Sequence, residues 1–204
     1  MPDPAAAISA KERIFLSCRQ KTCCHTTKVI VSGQDLWRIS WALELSPLDF
    51  VCYCPAAPDA VDGFRLSPEG PCYQVVLAKR TPAPAPTRPP TAPQYPPCIF
   101  LWRTNEGHSG CGLGSQRPQA CRTFPALLSA GMVAVDAEVC TCRRWSVLDL
   151  DRDEQAGLEQ QLAEALAYSR VVAAWNAELA VDRSFPDFCN FVLDAYRRPT
   201  EDPV

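Results

Sequence analysis

The sequence predicts an α+β fold: a small cysteine-rich module of short strands and helices, closed by a C-terminal α-helical hairpin. Three observations lead there. Of the 12 cysteines in 204 residues, all but Cys189 lie before residue 145. From about Asp149 the composition turns abruptly to Ala, Leu, Glu and Gln with apolar residues at helical spacing. Between Thr81 and Pro97 stand eight prolines in 17 residues, which leaves too few backbone donors for a helix or an inner strand. These boundaries divide the chain into a cysteine-cluster domain over 11–145, with 81–97 as a flexible proline-rich insert, and a helical extension over 149–198 packed on it.

The elements follow in order. A cysteine knuckle, Phe15 to Cys24, leads into a short β-branched strand, Lys28-Val29-Ile30-Val31. Ser32-Gly33-Gln34-Asp35 reads as a helix start with an acid in the first turn, and Leu36, Trp37, Ile39 and Leu43 supply apolar positions. Ser46-Pro47-Leu48-Asp49 reads as a second helix start, with Pro47 at the first helical position. Phe64-Arg65-Leu66 and Tyr73 to Leu77 flank a Ser67-Pro68-Glu69-Gly70 turn and predict a hairpin. The proline-rich insert is expected to be a solvated surface loop, although Thr87 to Pro93 has the look of an SH3-type ligand.

From Cys98 to Trp145, short strands and turns carry the remaining cysteines. Leu158, Leu162, Leu166, Val172, Trp175 and Leu179 then predict one long helix. A second begins at Ser184, with Phe188, Phe191, Val192, Ala195 and Tyr196 on one face as core contacts.

Composition excludes several classes. With 20 basic and 23 acidic residues the formal charge is −3, and the isoelectric point is near 5.4, so nucleic acid is not an expected partner. No apolar run reaches the roughly 18 residues of a membrane span. The N-terminus, Met1 to Ile8, lacks the basic and apolar regions of a signal peptide. The expected compartment is the reducing cytoplasm, where clustered cysteines serve metal or redox chemistry more often than disulfides. Glycine-rich phosphate loops and dinucleotide fingerprints are absent, and two histidines, His25 and His108, are too few for a convincing catalytic triad.

The cysteines therefore carry the functional reading. Thiolates select zinc, copper(I) and iron–sulfur clusters, and four of them close a tetrahedral zinc site or hold a four-iron cluster. Cys18-x4-Cys23-Cys24 opens the set, and Cys98, Cys111, Cys121, Cys140 and Cys142 follow. Adjacent Cys23 and Cys24 would naturally serve two metals, or one metal and the core. The C-x-C pairs, Cys52 with Cys54 and Cys140 with Cys142, need not chelate a single ion. Cys189 and Cys72 read as small buried hydrophobes, while Cys52 and Cys54 stand open between the two roles.

Further motifs sharpen this. Cys98-Ile99-Phe100-Leu101, Gly110-Cys111-Gly112 and Arg117-Pro118-Gln119-Ala120-Cys121-Arg122-Thr123-Phe124-Pro125 occur in that order. Together with the knuckle, strand and aspartate-started helix before them, they resemble the YkgJ-type cysteine-cluster family, described as a zinc- or iron-chelating domain, over roughly Phe15 to Trp145. The resemblance implies Cys18, Cys23, Cys24, Cys98, Cys111 and Cys121 as metal ligands. The first knuckle is one residue shorter than the family's and lacks its second cysteine, for which Gln20 or Lys21 stands. Cys140, Cys142, His25 or an exogenous molecule is the expected replacement.

Arg117 and Arg122 flank Cys121 and are expected to pair with acids such as Asp35 or Asp49 to hold the fold. His108 is expected in an exposed turn. The expected function is a metal-binding protein holding zinc or iron, including a four-iron–four-sulfur cluster. The alternative is an iron–sulfur redox protein or an S-adenosylmethionine-dependent enzyme, since flagellin lysine-N-methylases carry a similar cysteine cluster. No methyl-donor pocket is recognisable in the sequence.

Overall fold

The computed structural model describes residues 22–80, 96–129, 132–135 and 150–197. The fold is α+β, with small antiparallel sheets and a C-terminal helix pair. Helix α1 (Thr22–Thr26) is a single knuckle turn, and α2 (Gly33–Leu43) follows. A 3-10 turn (Pro47–Asp49) leads into β1 (Val51–Pro55), and β2 (Tyr73–Leu77) pairs with it antiparallel. The ribbon β3 (Leu101–Arg103) and β4 (Ser109–Cys111), helix α3 (Gln119–Thr123), and the ribbon β5 (Ala126–Ser129) and β6 (Met132–Val135) come next. Helices α4 (Arg152–Ala177) and α5 (Phe185–Arg197) complete the order.

Local chemistry explains the helix starts. Ser32 accepts the Asp35 N–H while the Asp35 carboxylate accepts the Ser32 N–H, a reciprocal cap. Asp151 with Glu154 caps α4 in the same way. Ser184 with Asp187 does so for α5, which begins where the sequence places it. Ser46 and Asp49 form the same cap, yet the predicted second helix is only the 3-10 turn. Phe50 is fully buried immediately after it and β1 starts at the next residue, so packing overrides the cap.

The predicted hairpin is also rearranged. Tyr73 to Leu77 does form a strand, but its ladder partner is β1, with Cys52 opposite Val76 and Cys54 opposite Gln74. Phe64 makes only an isolated bridge to Tyr73. The Ser67–Gly70 turn is present, closed by the Gly70 N–H on the Ser67 carbonyl at 3.0 Å. The β-branched Val29-Ile30-Val31 segment lies along β2, bridging Ile30 to Val76.

One apolar core joins the module to the helix pair. Val31, Ile39, Phe50, Phe64 and Val75 pack with Tyr168, Val172, Trp175, Phe188 and Val192. Phe64 and Phe188 stack with centroids 3.9 Å apart. Polar stitches fix the contact: the Trp175 indole donates to the Arg65 carbonyl at 2.7 Å, and the Asn176 amide grips Gly63 and Arg65. At Gly33 a Cβ would fall 2.2 Å from the Tyr196 ring and 3.0 Å from that of Tyr168, so α2 and the helix pair approach more closely there than any side chain would allow.

The stripe on α4 differs from its sequence reading. Leu158, Val172, Trp175 and Leu179 are buried, but Leu162 and Leu166 are 46% and 54% exposed, and Tyr168 takes the inward position. At 3.6 residues per turn each step of four drifts by about 40°, so Leu162 and Leu166 rotate off the face that Leu158 begins. The insert between Thr81 and Tyr95, the knuckle through Lys21 and the segment 136–149 lie outside the described residues.

Candidate metal centre

Four pieces of backbone bring five thiols together. The single turn of α1 carries Cys23 and Cys24, whose Sγ atoms lie 3.9 Å apart. The Cys98 N–H donates to the Cys24 carbonyl at 2.7 Å, which ties the entry to β3 onto the knuckle. Lys79 Nζ reinforces this by donating to the carbonyls of Cys24 and Thr27 at 3.1 and 3.0 Å. Cys111 ends β4 opposite Leu101, and the Gly112 N–H closes on the Phe100 carbonyl at 2.8 Å. Cys121 stands in α3, its N–H donating to the Pro118 carbonyl at 2.8 Å.

The electrostatics record the convergence. The contact with Cys23 raises the Cys24 thiol most, burial adds to it, and Cys23, Cys98 and Cys121 push further in the same direction. Burial raises Cys121 well above the ordinary thiol value, and Cys98, Cys111, Cys23 and the Asp35 carboxylate add to it. Cys98 and Cys111 are raised chiefly by burial. Backbone hydrogen bonds from Phe100 to Cys98 and from Leu113 to Cys111 pull the other way, each from two residues downstream. Lys79 and Arg80 beside Cys98, and Arg117 beside Cys111, also favour the thiolate. The surroundings thus supply donors and positive charge but leave each of these four thiols protonated unless a cation offsets the mutual repulsion.

Five of the eight predicted ligands, Cys23, Cys24, Cys98, Cys111 and Cys121, therefore share one neighbourhood. Cys18, Cys140 and Cys142 lie outside the described residues. Among the described residues no group of three or more His, Cys, Asp or Glu side chains is arranged to hold a metal ion. The donor set is nonetheless of the right kind. A tetrahedral ion about 2.3 Å from each sulfur spaces those sulfurs about 3.8 Å apart, and Cys23 and Cys24 stand at 3.9 Å.

The other candidates have different surroundings. His25 is buried, and its Nε2 meets the Arg103 guanidinium at 2.8 Å, so that nitrogen is committed to accepting from a cation. Period 2 puts Cys52 and Cys54 on one face of β1, where the Cys54 thiol donates to the Gln74 carbonyl at 3.8 Å. Cys72 and Cys189 are buried, as expected for cysteines acting as small hydrophobes. His108 is exposed in the turn after Gly107.

The two acids named as partners for Arg117 and Arg122 are engaged by other residues. Asp35 forms its ion pair with Arg38, at 2.5 Å, and Arg38 also donates to the Arg117 carbonyl at 3.0 Å. Asp49 is the exposed cap partner of Ser46, and Arg122 is exposed on α3. Arg38 was legible in principle, since it stands three residues after Asp35 on one helix face. No protein-family model, curated protein or solved structure matches the chain.

Proposed function

We propose that this is a cytoplasmic metal-binding protein of the YkgJ type, which holds zinc or an iron–sulfur centre in its cysteine cluster. The observation that carries the reading is the meeting of Cys23, Cys24, Cys98, Cys111 and Cys121 from four separate stretches of chain. A purely apolar role does not account for it, because burying several thiols side by side gains little over burying Val or Ala and leaves them open to oxidation. A bound cation supplies the missing counter-charge, favours the thiolates, and cross-links the knuckle, the β3–β4 ribbon and α3. Cys18, Cys140 and Cys142 complete the proposed ligand set. No membrane role is proposed: among the described residues no helix is long and apolar enough to cross a membrane.

The decisive measurement is metal and acid-labile sulfide content, with an absorption spectrum, on protein purified without oxygen. Colourless protein carrying stoichiometric zinc supports a structural or Lewis-acid site. Iron with sulfide and a broad band near about 400 nm, where cysteine-ligated clusters absorb, moves the reading to redox chemistry. Folded protein free of both overturns it. The companion variant is Cys121→Ser. Zinc at about 1,000 times its Kd stabilises a protein by about 4 kcal/mol. That increment is expected to vanish in the variant, while the metal-free proteins unfold within about 1 kcal/mol of each other, as read by urea titration with and without zinc.

A further inference from the structure

We propose that Asp35 and Arg38 are positioning residues for the thiol cluster: an ion pair on α2 that grips the backbone on both sides of Pro118 and so sets where Cys121 stands. The inference rests on the metal-binding reading and adds the device that holds one of its ligands in place.

The argument begins with a contrast. Four Ser/Asp or Asp/Glu caps occur among the described residues, and three of them, at Ser46, Asp151 and Ser184, are exposed. Capping alone does not require burial. Asp35 makes the same reciprocal cap with Ser32, yet it is only 2% exposed. A buried carboxylate is costly unless it is paired and its lone pairs are filled. Its Oδ2 takes the Ser32 N–H at 3.3 Å, and its Oδ1 takes Arg38 at 2.5 Å and the Gln119 N–H at 3.1 Å. Arg38 then donates to the Arg117 carbonyl at 3.0 Å.

The two gripped peptide groups, the Arg117 carbonyl and the Gln119 N–H, bracket Pro118. The Pro118 carbonyl in turn accepts from the Cys121 N–H at 2.8 Å. Pro118 fixes one backbone angle, and the ion pair fixes the groups on either side. The segment that carries Cys121 is therefore located by α2, a helix anchored in the core by Leu36 and Ile39. Groups that orient metal ligands typically change affinity by about 10- to 100-fold when they are removed.

The test is titration of the metal-free full chain with cobalt(II), whose thiolate charge-transfer and visible bands report the number and geometry of bound sulfurs. Asp35→Asn is expected to weaken cobalt affinity about 10- to 100-fold and to alter those bands, with an unchanged far-ultraviolet circular dichroism spectrum. Ser32→Ala removes the cap hydroxyl but leaves the grip on Gln119. It is expected to lower stability by about 1 kcal/mol while keeping the wild-type affinity and spectrum. If Asp35→Asn does not fold, Arg38→Gln carries the test, because it releases the Arg117 carbonyl and breaks the ion pair while leaving the Asp35 carboxylate on the Gln119 N–H, and it is expected to alter the same bands. Wild-type-like affinity and bands in Asp35→Asn, or in Arg38→Gln where that variant stands in, overturn the positioning role alone. So does an equal loss of affinity in Ser32→Ala. A wild-type chain that takes up no cobalt overturns both this inference and the metal-binding reading beneath it.

Discussion

The helix pair α4–α5 and the cysteine-bearing stretch around β3, β4 and α3 bury the same kind of residue for different ends. On α5, Cys189 sits 2% exposed between Phe188 and the Val192–Leu193 turn, and burial is the sole cause that raises its thiol, to about 12. Cys121, on a five-residue helix, is raised by burial first but then by three other cysteines and a carboxylate. The difference teaches that burial does not assign a cysteine its role; its titratable neighbours do. The helix pair coheres through a periodic apolar face. The cysteine-bearing stretch has strands of three or four residues and coheres through turns, backbone hydrogen bonds and converging thiols.

The largest expected effect lies on the helix-pair side of this contrast. Trp175 is 1% exposed, meets Phe188 and Phe191 edge-on, and donates to the Arg65 carbonyl. Trp175→Ala is expected to cost about 3–5 kcal/mol, a large part of the total stability of a domain. The loss should be the same with and without zinc, as measured by urea unfolding. A loss that zinc substantially offsets would mean that the two regions are not held by separate means.

A smaller effect isolates the lone thiol. In the unfolded chain Cys189 ionises near the ordinary thiol value of 9.0, whereas burial in the folded chain pushes it up to about 12. The folded state therefore binds this proton more tightly, so the thiol's contribution is intact below pH 9 and falls away as pH rises toward 12. At pH 10 the loss is about 1.4 kcal/mol. Cys189→Ala carries a cavity cost at neutral pH but lacks this alkaline increment. The gap between variant and wild type should accordingly narrow by about that amount between pH 8 and pH 10. Thermal unfolding across that range reads it directly, and a gap independent of pH would mean that burial does not raise this thiol in the folded chain.

How much of this was legible in the sequence depended on the kind of signal. The caps at Ser32 and Ser184 are short-range codes and were readable, as was the core role of Cys189 from its apolar helix face. The partner of β2 was not. Choosing β1 over the nearer Phe64 segment is a long-range decision taken by the core, where Val51, Val75 and Leu77 are all buried. Cys98, Cys111 and Cys121 could be named from their motifs, but nothing local says that Asp35, more than 80 residues earlier, holds the Gln119 N–H. Such a contact exists only once α2 and α3 are packed together.

The smallest predicted effect tests where helical periodicity misled. Read as successive steps of four, Leu158, Leu162 and Leu166 look like one face, but only the first is inside, packed with Ala126 and Leu150. Leu162→Gln changes helix propensity little and removes a side chain already 46% exposed. Its cost should stay within about 0.5 kcal/mol. Leu158→Gln puts an amide where 1% of the residue is accessible, and it should cost about 2 kcal/mol or more through the buried, poorly partnered polar group. The pair of unfolding curves is the measurement. Equal losses at the two positions would mean that α4 is rotated from the face described, with Leu162 and Leu166 inward. Unequal losses in the expected order place Tyr168, not Leu166, on the line that continues to Val172 and Trp175, which is the face that carries the helix pair onto the module.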